Sequence, residues 1–228
     1  MSLCLFCDQP FTGDLDMRRL LLPGKSKTSC LCPSCRQLFA QIGTAFCPQC
    51  GRQQDSGEIC QDCQKWRRIY QGNFLNNQAV YCYNQAFHDL MVRYKRYGDY
   101  LLCKVLQELA APAVQKLAAD YYVPVPTSPE HRKKRGYDTV WEIFTPLLPL
   151  TPLLAKKAGA GAQGEKDKKA RMQAKQNFFL NPEFRGTITG KIILLDDIYT
   201  TGRTLYHARD AIEKAFPKCQ VESFSISR

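Results

Sequence analysis

No stretch of this sequence is apolar for long enough to cross a membrane. A spanning helix needs about 20 consecutive apolar residues, and runs such as Leu20-Leu21-Leu22 stop far short. The opening Met1-Ser2-Leu3-Cys4 lacks the basic-then-apolar layout of a secretory leader. Acidic residues are in deficit as well: 21 Asp and Glu stand against 32 Lys and Arg, for a formal net charge of +11. These deficits set aside an integral membrane protein and a secreted one. The surplus of cations suits phosphate-rich ligands or nucleic acid. At 228 residues there is material for one medium domain plus a small module.

Cysteine, by contrast, is plentiful. Of twelve, eight form four Cys-x-x-Cys pairs: Cys4 with Cys7, Cys32 with Cys35, Cys47 with Cys50, and Cys60 with Cys63. Two intervening residues let a tight turn present both sulfurs to one ion, and two such turns complete a tetrahedron. Gly51, directly after Cys50, fits such a turn because glycine takes positive φ cheaply. The simplest pairing gives two structural Zn2+ sites, 4/7 with 32/35 and 47/50 with 60/63. An interleaved pairing satisfies the spacing too, and Cys30 is close enough to replace Cys32. No βαβ pattern surrounds the pairs, which argues against a redox dithiol. Four thiolates leave no open position for water or substrate, so the expected work of each ion is to fold a segment too small to build its own core. Two Zn(Cys)4 sites, each carrying −2, would lower the net charge to about +7. Metal-type cysteine spacing in a chain without a leader points to the cytoplasm. Cys82, Cys103 and Cys219 stand alone and read as small buried hydrophobes.

The rest of the chain is organised around Ile192-Ile193-Leu194-Leu195-Asp196-Asp197-Ile198-Tyr199-Thr200-Thr201-Gly202-Arg203-Thr204. Four apolar residues after Gly190-Lys191 predict a buried central strand. Two carboxylates follow, then a Thr/Gly loop that opens a helix. Successive backbone N–H groups and a helix N-terminus make such a loop a good phosphate cradle. Gly202 permits close approach, and the hydroxyls of Thr200, Thr201 and Thr204 add donors. The paired acids can accept hydrogen bonds from two neighbouring hydroxyls. One phosphate plus one diol outlines a ribose 5-phosphate. The bland alternative, a buried strand with a polar turn, leaves two adjacent carboxylates repelling each other at a cost in desolvation.

This run resembles the signature of type I phosphoribosyltransferases. The resemblance implies that Asp196 and Asp197 hold the ribose hydroxyls of phosphoribosyl pyrophosphate (PRPP), the pair also being the catalytic candidates. It implies that Thr200, Thr201, Gly202, Arg203 and Thr204 cradle the 5′-phosphate, and that Mg2+ enters with PRPP.

Between cysteines and signature, Gly72-Asn73 marks a boundary after Trp66-Arg67-Arg68-Ile69-Tyr70. Ala79–Tyr83 reads as a strand. A helix is expected over 85–97, with Phe87, Leu90, Met91 and Tyr94 on one face and Gly98 ending it. Lys95 and Arg96 suit the helix dipole there, or reach pyrophosphate. A second helix is expected over 100–117, kinked or broken at Pro112. Tyr121 to Pro124 leads into the turn Pro126, Thr127 and Ser128, which by the same resemblance lies under pyrophosphate. Next come His131, Arg132, Lys133, Lys134 and Arg135, either a solvated basic loop or a DNA contact. From Ala155 to Gln176 seven Lys/Arg face two acids, a composition that predicts a mobile segment. The same resemblance makes Lys168, Lys169 and Arg171 its candidates for closing over PRPP; the other readings are a contact with a DNA backbone and a merely solvated loop. Phe178-Phe179-Leu180 restarts packed structure, a helix runs from the loop to Phe216 before Pro217, and 221–226 reads as a last strand.

Taken whole, the chain resembles the ComF family, which joins cysteine pairs, a Lys-Tyr/Phe-x-Gly-Asp helix end, a Val-Pro-Val-Pro strand and an Arg-Gly-Phe-Asn-Gln motif to the Asp-Asp loop. Here Tyr137, Asp138 and Thr139 replace Phe, Asn and Gln, so Arg135-Gly136 is the part of that motif that matches. The resemblance implies a role in natural transformation, with single-stranded DNA and a helicase-like ATPase of the uptake machinery as partners. It carries Arg135 over as a PRPP-binding residue. The expected architecture is α/β: a cysteine-rich zinc module over 1–70, then a phosphoribosyltransferase-like domain over 71–228 on a mostly parallel sheet with helices on both faces. The expected function is a transformation protein that binds PRPP; the other reading is an active transferase to a nucleobase-like or nucleic-acid acceptor.

Overall fold

The computed structural model describes residues 2–12, 29–158 and 176–228. Its centre is a four-stranded, all-parallel sheet. In spatial order the strands are β3 (Asn77–Tyr81), β8 (Gln220–Ser227), β7 (Lys191–Ile198) and β4 (Tyr121–Pro124). β7 is the inner strand the apolar run predicts, and its residues alternate between two cores. Ile193 and Leu195 join one buried cluster and Ile192 and Leu194 the other. A sheet covered on both faces is the usual state of parallel strands.

Helices supply the two covers. On the first face lie α3 (Gln85–Val92), α4 (Cys103–Val114) and α6 (Thr139–Phe144); on the second lie α2 (Gln61–Tyr70) and α7 (Arg203–Ala215). Asn84 caps α3 by accepting from Phe87 N–H at 3.0 Å. Phe87, Leu90, Met91 and Tyr94 are all buried, as their spacing predicts. Beyond Val92 the helix widens into a π-turn over Arg93–Tyr97, which Gly98 ends at φ 73°. The helix expected over 100–117 is shorter than its pattern: a 3-10 turn at Tyr100–Leu102 precedes α4, and Pro112 sits inside α4. Pro112 falls in its last turn, where α4 stops at Val114.

The cysteine-rich segment, with β1 (Ser2–Leu3), β2 (Pro10–Phe11) and α1 (Pro33–Gln37), wraps the β3 edge and reaches both faces. Cys4, Cys35 and Phe39 join the first core, whereas Cys47, Cys50, Cys60, Cys63 and Trp66 join the second. Along the edge, Ile42 N–H donates to Val80 and Cys82 N–H to Ala40, both at 2.9 Å, and Asn77 N–H donates to Gln49 at 2.7 Å. Gly51 has the positive φ its turn predicts, 75°, and a Cβ there would lie 3.0 Å from that of Ala79.

A small hairpin stands beside the sheet. β5 (Leu154–Lys156) pairs antiparallel with β6 (Phe178–Leu180). Ala155 and Lys156, assigned by composition to the mobile run, therefore lie in a strand, because Leu153 and Leu154 anchor it in the second core. The short basic helix α5 (Pro129–Arg135) starts at Pro, ends at Gly136 with φ 84°, and leaves Arg132, Lys133 and Lys134 exposed.

Candidate functional site

The eight paired cysteines assemble into two clusters. Cys4, Cys7, Cys32 and Cys35 form one, Cys47, Cys50, Cys60 and Cys63 the other, each with its sulfurs within 4.8 Å of one another. This is the simplest pairing. All are free thiols, and the Cys7–Cys32 and Cys50–Cys60 sulfurs stand 3.9 and 3.7 Å apart. A tetrahedron with Zn–S near 2.3 Å has edges of about 3.8 Å, so the donor set fits zinc in type and spacing. Backbone N–H groups of Cys32, Cys35 and Cys60 point at ligand sulfurs, each at 3.4 Å, as they would toward thiolates. Cys30 is outside the cluster. Its thiol and its N–H both donate to Glu108 of α4, at 2.8 and 2.7 Å, and burial pushes that thiol up to about 11.

The second constellation lies at the C-terminal end of β7. Asp196 and Asp197 continue the strand and are nearly buried, 9% and 2% exposed. Asp197 receives Lys95 Nζ from the π-turn, at 2.7 Å from Oδ1 and 2.6 Å from Oδ2. Asp196 Oδ1 accepts from Asp197 N–H at 2.9 Å. Burial, and then the neighbouring Asp197, push the Asp196 carboxyl up to about 7, against the opposing pull of Lys95.

The loop after β7 leads into α7. Gly202 stands at its N-cap with φ 82°, and a Cβ there would run into the Tyr199 hydroxyl. Both the backbone and the space demand glycine. Ile198, Thr200, Gly202 and Thr204, with Asp196 and Tyr199, line a small recess. An anion at its mouth would meet a helix N-terminus and the hydroxyls of Thr200 and Thr204.

No protein-family model matches the chain. It is 34% identical over 225 residues to the competence protein ComFC of Streptococcus pneumoniae, spanning 99% of each chain. With ComFC of Bacillus subtilis it shares 30% identity over 237 residues, spanning 99% of this chain and 95% of that one. The chain belongs to the ComFC family of competence proteins.

In this ComFC-family chain the turn Pro126, Thr127 and Ser128 follows β4, beside the strand that carries the acids. Thr127 N–H donates to Asp138 at 2.8 Å, and Ser128 Oγ lies 3.1 Å from His131 Nδ1. Asp138, a departure from the ComF motif, has a clear structural task. It also caps α6 by accepting from Val140 and Trp141 N–H, each at 3.2 Å. The Asp138-Thr139 step before an apolar run carried that capping signal. Arg135 Nε donates to the Lys95 carbonyl at 2.7 Å, which joins α5 to the π-turn. Arg203 lies over the Trp66 ring at 5.9 Å.

Two cations stand at the acids. Lys95, expected either to suit the helix dipole or to reach pyrophosphate, pairs with Asp197. Lys156, on β5, sits over Phe178 at 5.0 Å; its ammonium is shifted down by burial and partly restored by Asp196. Lys168, Lys169 and Arg171 lie outside the described residues.

Two outcomes are expected. Purified protein should hold two zinc ions per chain by elemental analysis; Cys30→Ser should keep both, and Cys32→Ser should lose one. The second concerns pH. Because the folded state raises Asp196 above its unfolded value, its stabilisation is fully present below pH ~4 and is lost as pH rises through about 7. Asp196→Asn should therefore gain stability relative to wild type between pH 5 and 8, by at most about 1.4 kcal/mol per pH unit, read from denaturant midpoints.

Proposed function

We propose that this protein serves natural transformation by handling incoming single-stranded DNA and by binding PRPP at the end of β7. One observation carries the PRPP reading: of two adjacent buried acids, Asp196 lines the same recess as Thr200, Gly202 and Thr204 at a helix N-terminus. Asp196 and Asp197 accept the ribose hydroxyls. Thr200, Thr201, Gly202, Arg203 and Thr204 hold the 5′-phosphate. Pro126, Thr127 and Ser128 underlie the pyrophosphate, with Arg135 fixing that side of the pocket through Lys95. Mg2+ is a hard cation that keeps several waters and travels with phosphates. When bound it would offset pyrophosphate charge, and the carboxylates of Asp196 and Asp197 are oxygen donors of the right kind.

If the site is also catalytic, an acceptor nitrogen attacks ribose C1 while the C1–O bond breaks and pyrophosphate leaves with the electron pair. The acids then stabilise the cationic ribose between the two states. Purified protein with Mg2+-PRPP should bind it by calorimetry. The Asp196→Asn/Asp197→Asn double variant should bind at least about tenfold more weakly, the loss of roughly one charge-assisted hydrogen bond. Unchanged affinity in a folded variant would remove the pair from the site. Pyrophosphate release that requires an added base or DNA acceptor would make the protein a transferase.

For DNA, the supporting observation is a surface where α5 meets the π-turn. Arg132, Lys133 and Lys134 are exposed, and Tyr97, 78% exposed, is two residues from the Lys95 carbonyl that Arg135 grips. Mobile cations neutralise phosphates while an exposed ring stacks on a base. A helicase-like ATPase of the uptake machinery is the protein partner in this reading. Arg132→Ala/Lys133→Ala/Lys134→Ala should reduce the salt slope of single-stranded DNA binding by about 2, at roughly 0.7 per phosphate contact. An unchanged slope would place the DNA surface elsewhere.

A further inference from the structure

The second Cys4 cluster and the loop after β7 touch through two side chains that neither the zinc reading nor the PRPP reading uses. Arg228 Nε donates to Cys50 Sγ at 3.3 Å, and the same guanidinium donates from Nη1 to the carbonyls of Tyr199 and Thr200, at 3.2 and 2.6 Å. Trp66, three residues after Cys63 on α2, donates from Nε1 to the carbonyl of Thr201 at 2.7 Å. Three successive loop carbonyls are thus gripped from the side of the cysteine cluster.

Peptide geometry turns that grip into an orientation. The chain has no cis peptide bonds among its described residues. In a trans peptide plane the C=O of one residue and the N–H of the next point in opposite directions. With the carbonyls of Tyr199, Thr200 and Thr201 drawn toward Arg228 and Trp66, the N–H groups of Thr200, Thr201 and Gly202 point away from the cluster.

A guanidinium in this place needs a negative partner. The Arg228 side chain is 5% exposed, and its charge stacks over the Tyr199 ring at 4.7 Å. A zinc-loaded Cys4 site carries −2 and supplies that partner, with Asp62 a further 3.9 Å contact. Arg suits the task because its planar fork reaches a sulfur on one edge and carbonyls on another. The first Cys4 cluster is built into the opposite face of the sheet, where Glu108 accepts from the neighbouring Cys30 and Arg93 donates to the Phe6 carbonyl.

We infer that Arg228 and Trp66 are positioning residues through which the second Cys4 site sets the anion-facing orientation of the 199–202 loop. The inference rests on the PRPP reading only for the identity of the anion.

The test uses the zinc-loaded full chain with Arg228→Ala, Trp66→Phe and, as a control at the other cluster, Glu108→Gln. Hydrogen exchange is followed over 198–206, which carries the amides Tyr199 N–H, bonded to Ser227, and Tyr206 N–H, bonded to Gly202. Arg228→Ala and Trp66→Phe are expected to keep two zinc ions, exchange about tenfold faster in that segment and bind Mg2+-PRPP about tenfold more weakly, as the loss of one or two hydrogen bonds requires. Glu108→Gln should leave both readouts at wild-type values. Unchanged exchange in both loop variants overturns the inference, as does an equal rise with Glu108→Gln. Faster exchange with unchanged PRPP affinity supports the positioning role and removes PRPP from the loop. If Arg228→Ala loses metal or fails to fold, Trp66→Phe, whose lost hydrogen bond goes to a backbone carbonyl and not to a sulfur, decides.

Discussion

Burying a strand on both faces makes its last polar residues expensive. β7 is sealed between two cores up to Leu195, so Asp196 and Asp197 enter the site already stripped of most of their water. Two adjacent carboxylates in that position are tolerable only with compensation. The chain supplies it from three directions: Lys95 from the π-turn, the Asp197 amide from the strand itself, and Lys156 from the hairpin. Much of the local architecture follows. The π-turn sets Lys95 beside Asp197 while Tyr94 stays buried, and Arg135 holds the carbonyl of that same lysine. The widened helix is a common device at functional sites for this kind of reaiming.

The cysteine clusters extend the same logic to the faces. Each belongs to one hydrophobic core rather than to a surface knob, and Arg228 donates directly to a sulfur of the second. On the second face an aromatic column seals the contact. Trp66 and Tyr70 of α2 stack on Tyr206 of α7 with centroids 4.3 and 4.7 Å away, and the buried Arg209 lies over Tyr70 and Tyr206. The helix that follows the 199–202 loop is therefore braced by the helix that follows the cysteines.

What could be read in the sequence was whatever short-range pattern controls. The Cys-x-x-Cys spacing offered the pairing that forms as the simplest of its alternatives, and the unbroken apolar run Ile192–Leu195 announced a strand buried on both sides. The reading stopped β7 at Leu195 because charge breaks an apolar run, yet the ladder continues, with Asp196 opposite Ser225 and Ile198 opposite Ser227. Long-range pairings were invisible. Lys95 and Asp197 are 102 positions apart, and Arg228 and Cys50 are 178 apart. No local rule links such residues, and a lone lysine at a helix end has a sufficient local explanation in the dipole. Lys156 was hidden by composition: the charged run around it outweighed the two residues that extend β5.

Parallel sheets leave two raw borders, and here each is occupied. Thr151 N–H donates to Tyr122 on the β4 side, and the stretch from Ala40 to Gln49 runs along β3. The β3 cover comes from the segment that carries part of the second Cys4 group, which could hold a zinc ion. If that segment takes its fold from the metal, a shortage of zinc would uncover a strand whose unsatisfied amides and carbonyls are a template for pairing with other chains. The metal would then also act as a guard against self-association during synthesis.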